Sequence, residues 1–258
     1  MVRFLVLLAA ACGHSDPVGN ANAPPTPDAP PDAQTSYHAA VLADSPAAYY
    51  RLGENGGTTA HDEIAGMDGT IAGSCTFNVP GALAGDADGA LQFDGSTCKI
   101  TLANAAFGFP GTAAFTIESW VSTSMDASFH QVFSKETRDA QNPIDGYGVL
   151  VSPTGFTFER VVGTASNFKT PPYLVSPGFH HFVAVYTGSE IRIYIDGSLA
   201  GSTPDTRPLN AVAAPPIIGG STVGNFYTGV IDELAVYPVA LSAARIAIHH
   251  RLGVGLPP

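Results

Sequence analysis

The sequence predicts an all-β fold, an antiparallel sandwich of two sheets with one short helix near its C-terminal end. Three observations carry this. Gly and Pro make up 28 and 21 of the 258 residues. From residue 53 onward they recur between short apolar runs, the pattern of many strands joined by turns. The stretch 179–197 holds two apolar runs, His181–Tyr186 and Ile191–Ile195, joined by Thr187-Gly188-Ser189-Glu190 and closed by Asp196-Gly197. Period-two side chains, β-branched residues and a Gly-containing loop make it a β-hairpin. Its first run is apolar on both faces, with Phe182, Ala184 and Tyr186 on one and Val183 and Val185 on the other. Such a strand sits inside a sheet covered on both sides. Third, no helical periodicity accompanies the hairpin, and a helix-forming run comes only after Ser242.

In chain order, Arg3 and the apolar run Phe4–Ala11 read as a processing signal, since the run is too short to span a bilayer. Ala9-Ala10-Ala11-Cys12 resembles a bacterial lipobox, so residues 1–12 are expected to be a signal peptide with lipidation at Cys12. Residues 13–36 carry Pro17, Pro24, Pro25, Pro27, Pro30 and Pro31 among Ala, Asn and Asp, with no aromatic residue, Lys or Arg. This segment has nothing with which to bury a core and is expected to be a disordered tether. Residues 37–258 form the folded domain. Its strands are expected at 48–52, 69–73, 89–94, 97–102, 114–122, 130–135, 146–151, 155–161, 180–186, 190–196, 215–219 and 228–237. Ser242 caps the helix, Ala243, Ala244, Ile246, Ala247 and Ile248 favour it, and His249, His250 and Arg251 suit its C-terminal dipole.

The formal net charge is −11, without Lys/Arg clusters. Phosphate neutralisation needs such clusters, so nucleic acid and anionic lipid surfaces are excluded as partners, and membrane contact is expected only through a lipid anchor. With Cys12 assigned to the lipid, Cys75 and Cys98 remain of the three cysteines and are expected to pair in an oxidising envelope. Their number and spacing do not fit a zinc site.

Several segments resemble one family. Phe179–Gly197, Val41–Pro46 followed by Tyr49–Glu54, Ala90–Gly95, Phe115–Val121, and Gly229–Tyr237 with Ala240–Ser242 match in order the motifs of laminin-G-like domains, over residues 38–252. The resemblance implies the jelly roll of the concanavalin A-like lectin and glucanase superfamily for residues 37–258. It also implies a structural Ca²⁺ ion, with Asp62 and Asp232 as ligands and Asp68 as a third. Calcium takes six to eight oxygens, which carboxylates and loop carbonyls supply. The alternative is that Asp62 and Asp68 form Asx-turns and Asp232 pairs with a backbone amide.

Glucanases of this superfamily carry E-x-D-x-x-E on one strand, with acids on a shared face. Here Asp232 and Glu233 are adjacent and point to opposite faces, and Glu118 stands alone in an apolar strand, so no catalytic pair is expected and the domain is expected not to be an enzyme. The histidines carry no metal spacing and are read as structural. A glycan site needs aromatic platforms, for which Tyr147, Phe168, Tyr173, Phe226 and Tyr227 stand in or near loops, core packing being the alternative for each. The loops 136–146 and 163–178 are long, and long loops on a rigid sandwich carry recognition. The expected function is a non-catalytic cell-envelope recognition or adhesion module that binds a glycan or an extracellular protein, on an outer-membrane or surface lipoprotein. The alternatives are a divergent glucanase-like enzyme and a structural surface lipoprotein.

Overall fold

The structure, a computed structural model, describes residues 36–258 apart from 65, 104–106, 124–128, 140–141, 164–166, 171 and 174. For residues 139, 142–144, 167 and 168 the description stops at the backbone. The expected signal peptide, Cys12 and nearly all of the 13–36 tether lie outside the described residues.

Helix α1 (Tyr37–Ala43) is followed by β1 (Ala48–Tyr50), β2 (Thr59–Ala60), β3 (Gly69–Ala72), β4 (Thr76–Pro80), β5 (Gly89–Asp94) and β6 (Lys99–Thr101). Then come β7 (Phe115–Thr123), β8 (His130–Asp139), β9 (Asn142–Ser152), β10 (Gly155–Val162) and β11 (Asn167–Lys169). The chain closes with β12 (Phe179–Tyr186), β13 (Glu190–Ile195), β14 (Ser198–Pro204), β15 (Ile217–Ile218), β16 (Thr228–Tyr237) and α2 (Ala243–Gly253). One sheet runs β14-β13-β12-β7-β16-β5-β4, with β1 also pairing β16. The other runs β11-β10-β9-β8-β15-β6-β3-β2. All pairings are antiparallel, which makes the two-sheet sandwich that the sequence predicts.

Each expected strand has a counterpart, and four further strands were not foreseen: β2, β4, β11 and β14. These are the four edges of the two sheets. An edge strand need not be apolar on either face, and β4 and β14 have only exposed and half-buried residues, with Pro, Gly, Ser and Thr among them. Helix α1 was not foreseen either, since only one helix was expected. It is two turns long, Ser36 caps it by accepting from the Ala39 N–H at 3.1 Å, and Tyr37, Ala40 and Val41 line its buried face at i, i+3 and i+4 spacing.

The main core lies between the sheets, with Phe93, Ile100, Phe115, Val121, Phe133, Val149, Phe158, Phe182, Ile193 and Ile231. A second core lies between the outer face of the β12–β7–β16 sheet and the two helices, with Tyr37, Trp120, Val183, Val185, Tyr237, Ile246 and Leu252. Phe182, Ala184 and Tyr186 face the first core, Val183 and Val185 the second. The doubly apolar run of β12 is therefore covered on both sides, as its sequence predicts. Each such valine contributes roughly 1.5–3 kcal/mol by leaving water. Among the described residues no helix is long and apolar enough to cross a membrane.

Cys75 and Cys98 form a disulfide. It joins the residue before β4 of one sheet to the residue before β6 of the other. The sequence separation is 23 residues. Closing a loop of that size in the unfolded chain is worth about 3 kcal/mol. A C75A/C98A variant is expected to lose about that much in chemical denaturation, without a change in the native far-UV spectrum.

Candidate functional site

The helices close the outer face of the first sheet, and they do so over charge. Glu118 on β7 is fully buried. Tyr37 and Tyr237 hydroxyls donate to it at 3.0 and 2.7 Å, His181 Nε2 lies 2.7 Å away, and His249 Nδ1 is 3.0 Å from both its oxygens. With no solvent access, this cluster fastens α1 and α2 to the sheet.

The acids expected to hold calcium do not converge. The Asp62 carboxylate accepts from the backbone N–H groups of Tyr49 at 2.9 Å, Ile64 at 3.3 Å and Met67 at 3.1 Å, while Asp68 accepts from the Asp62 N–H at 3.0 Å. Asp232 accepts from the Ala82 N–H at 2.8 Å. Burial and then the neighbouring Glu233 push the Asp232 carboxyl up to about 8. Asp62 and Asp232 already accept backbone N–H groups, whereas a hard cation takes a lining of oxygens alone. Among the described residues no group of three or more His, Cys, Asp or Glu side chains is placed to hold a metal ion. Asp62 makes the Asx-type contact, to the Ile64 N–H, and Asp232 pairs with a backbone amide.

The outer face of the second sheet is free of helix among the described residues. Tyr147, Val149, Phe156 and Phe158 point into the core. Strand alternation therefore turns Gly146, Gly148 and Glu159 outward. In the register Gly148 stands between Ser134 of β8 and Glu159 of β10, and Gly146 stands beside Glu136. With glycine between them, the acids of β8 and β10 face the same guanidinium, Arg138 Nη2 lying 2.6 Å from Glu136 and 3.9 Å from Glu159. Burial followed by the Glu159 charge pushes the Glu136 carboxyl up to about 8. One Glu136 oxygen accepts from Gln131 Nε2 at 3.2 Å and Arg138 Nε at 2.9 Å, and Lys169 Nζ lies 3.1 Å from Glu159. This approach of two carboxyls was not foreseen. Its signal in the sequence was parity: Glu136 and Glu159 flank the Gly-Tyr-Gly of β9 once the hairpins are in register.

One end of the same strands carries aromatic rings. His130 pairs with Val151 and Val151 with Phe156. Tyr173 bridges to Phe156, while Asn225 O accepts from the Gln131 N–H and Phe226 O lies 2.6 Å from His130 Nδ1. The segments bearing Tyr173 and Phe226 thus flank one strand end, where Phe129 leads into β8. Phe129 is 62% exposed and Tyr173 43% exposed, and Phe226 is half-buried. Phe129 was not foreseen, because it reads as the lead-in to an apolar strand. Tyr147 and Tyr227 are fully buried, which corrects their reading as exposed platforms. Their rings fill the core and their hydroxyls donate to Phe107 O at 2.8 Å and Ser122 O at 3.0 Å. The Phe168 side chain lies outside the described residues.

Two antiparallel sheets with a polar outer face and a ringed rim define a lectin-like jelly roll. Residues 94–247 match the Laminin_G_3 family model, described as the concanavalin A-like lectin/glucanases superfamily, and the chain belongs to that family. The binding domain of botulinum neurotoxin serotype G superposes with a TM-score of 0.61 at 13% identity, over 80% of this chain and 50% of that one. The binding domain of botulinum neurotoxin DC in complex with SialylT gives 0.59 at 13% identity, over 81% and 51%. Domain 4 of AbnA, a GH43 extracellular arabinanase from Geobacillus stearothermophilus, in complex with arabinotriose, gives 0.57 at 18% identity, over 80% and 98%. This chain spans about half the length of the neurotoxin binding domains it matches. At these identities the likeness is one of fold. No curated protein sequence matches the chain.

Proposed function

We propose that the domain is a non-catalytic glycan-binding module. The contact surface is the end of β8–β10 ringed by Phe129, Tyr173 and Phe226. The observation that carries this reading is the exposure of Phe129 and Tyr173 at one strand end of a sheet face that no described helix covers. Aromatic rings beside accessible polar groups are what a sugar needs, one for its C–H face and the other for its hydroxyls. The arabinotriose and SialylT complexes of the similar structures support the ligand class. On this proposal Cys12 carries a lipid and residues 13–36 hold the domain away from a bacterial envelope. At about 3.1 Å per extended residue that distance is several nanometres.

A glycan array probed with the wild type and a Phe129→Ala/Tyr173→Ala variant tests it. Wild-type signal that weakens on the order of tenfold or more per ring is expected. A blank array with folded wild type would overturn the reading.

The Glu136–Glu159 pair favours a second reading, glycoside hydrolysis. Retaining enzymes hold their carboxyls about 5–5.5 Å apart. Both acids of this pair are buried and engaged with Arg138, so binding is the better reading. Product release from a β-glucan panel, abolished by Glu136→Gln, would favour hydrolysis.

A further inference from the structure

A cavity of about 270 Å³ is lined by two loops, 107–110 and 209–212, at the far end of β8 and β9. Lys135 and Tyr147, paired across these strands, also line it, whereas His130 and Val151 stand at the ringed end. Close packing leaves few voids larger than a water molecule, and an apolar cavity of roughly 150 Å³ already holds benzene. The walls are fixed before anything enters. Gly111 and Leu209 exchange backbone hydrogen bonds at 2.7 and 2.8 Å, and Phe109 stacks on Phe115 at 4.7 Å. Lys135 Nζ donates to Val212 O at 2.9 Å and Ala214 O at 3.1 Å, which holds the second loop to β8.

The lining offers mainly apolar surface. Phe109, Leu209 and Val212 lie buried or half-buried along it, and Pro110 and Ala211 stand exposed at its mouth. Its polar side chains are engaged within the protein. Tyr147 donates to Phe107 O at 2.8 Å, Asn210 Nδ2 donates to Asp145 Oδ1 at 3.1 Å, and Lys135, only 1% exposed, holds the two carbonyls already named. A sugar or an ion entering here would give up bonds to water and regain few, whereas an apolar ring gains by leaving water. We propose that the cavity binds a small uncharged arene of one or two rings, seated against Phe109, Leu209 and Val212. Phe109 gives such a ring an offset or edge-on partner, a contact that an alkyl chain does not use. The site is distinct from the ringed end, and the inference stands apart from the glycan-binding reading.

Calorimetric titration and amide NMR with indole test the assignment, with indole-3-acetate as a charged molecule carrying the same ring system. Indole is expected to bind wild type with a Kd below about 1 mM and to shift the amide signals of Gly108, Ala211 and Val212 most. Indole-3-acetate is expected to bind more weakly. Ala211→Trp and Val212→Phe place larger side chains at the cavity and are expected to weaken indole binding about tenfold or more. Ala211 is exposed, so its variant carries the test if Val212→Phe does not fold. No indole binding to wild type, amide shifts centred elsewhere, or unchanged affinity in a folded variant would overturn the assignment. So would indole-3-acetate binding as tightly as indole, which would make the cavity a site for anions. None of these outcomes bears on the glycan array.

Discussion

Replacing Asp205 with alanine is expected to cost about 3–5 kcal/mol of folding free energy, the range for breaking a buried ion pair from one side. Arg160 of β10 is fully buried and faces the core, in register with Tyr147. Its Nη1 donates to Asp205 Oδ2 and Arg207 O, and its Nη2 to Gly111 O, each at 2.7 Å, while its Cζ lies 4.2 Å above the centre of the Tyr186 ring. Asp205 is itself fixed. Its N–H donates to Ser189 O at 2.9 Å, its Oδ1 accepts from the Arg207 N–H at 3.1 Å, and its carbonyl accepts from the Tyr186 hydroxyl at 3.2 Å. The pair locks the segment after β14 against both sheets. Removing the aspartate leaves a guanidinium in the core with its charge uncompensated. Removing both charges costs less, so an Arg160→Met/Asp205→Ala double variant is expected to be more stable than Asp205→Ala alone. Chemical denaturation of the two variants decides the point. A loss under about 1 kcal/mol for Asp205→Ala would show that the pair contributes little.

Neither partner of that pair was legible in the sequence. Arg160 sits at a core-facing parity in a strand whose other core-facing residues are apolar, and its partner is 45 residues away. What was legible had a local cause. The doubly apolar β12, the β12–β13 hairpin and the Ser242-capped helix each state their environment within a few residues. Edge strands do not, because solvent covers what a neighbour would otherwise select. The candidate site divides in the same way. Tyr173 and Phe226 were named because turn residues surround them. Tyr147 was misplaced because its Gly-rich neighbours come from close strand packing rather than from a loop. Gln131, Glu136 and Glu159 could be joined only through register across three strands, which no single segment encodes.

The Glu118 cluster is expected to make stability depend on pH from both sides. Burial alone would raise the Glu118 carboxyl, but the His249 charge and the hydrogen bonds of His181 and His249 outweigh it and hold the group well below its ordinary 4.5. Burial alone would lower His249, but Glu118, with Asp44 adding to it, outweighs that and raises the imidazole above its ordinary 6.5. Asp44 Oδ2 is 3.1 Å from His249 Nε2, and Arg245, which donates to Asp44 at 2.9 Å, opposes the rise. Tyr37 and Tyr237 complete the shell through their hydroxyls, His250 stacks on Trp120 and His181 packs tilted against it. A depressed carboxylate stabilises fully above its unfolded value and loses that as pH falls through its folded one, whereas a raised imidazole stabilises fully below its unfolded value and loses that as pH rises. The cluster's contribution is therefore largest between about pH 4.5 and 6.5 and declines on either side. Glu118→Gln keeps the shape and removes the charge, and is expected to lose about 3–5 kcal/mol inside that window and less outside it. Asp232, Glu233 and Glu136, all raised, also lose stability as pH climbs, but they do so equally in both proteins. The difference between the two denaturation profiles thus isolates the cluster. A difference that stays flat from acid to alkaline pH would mean that Glu118 and His249 are not paired as ions.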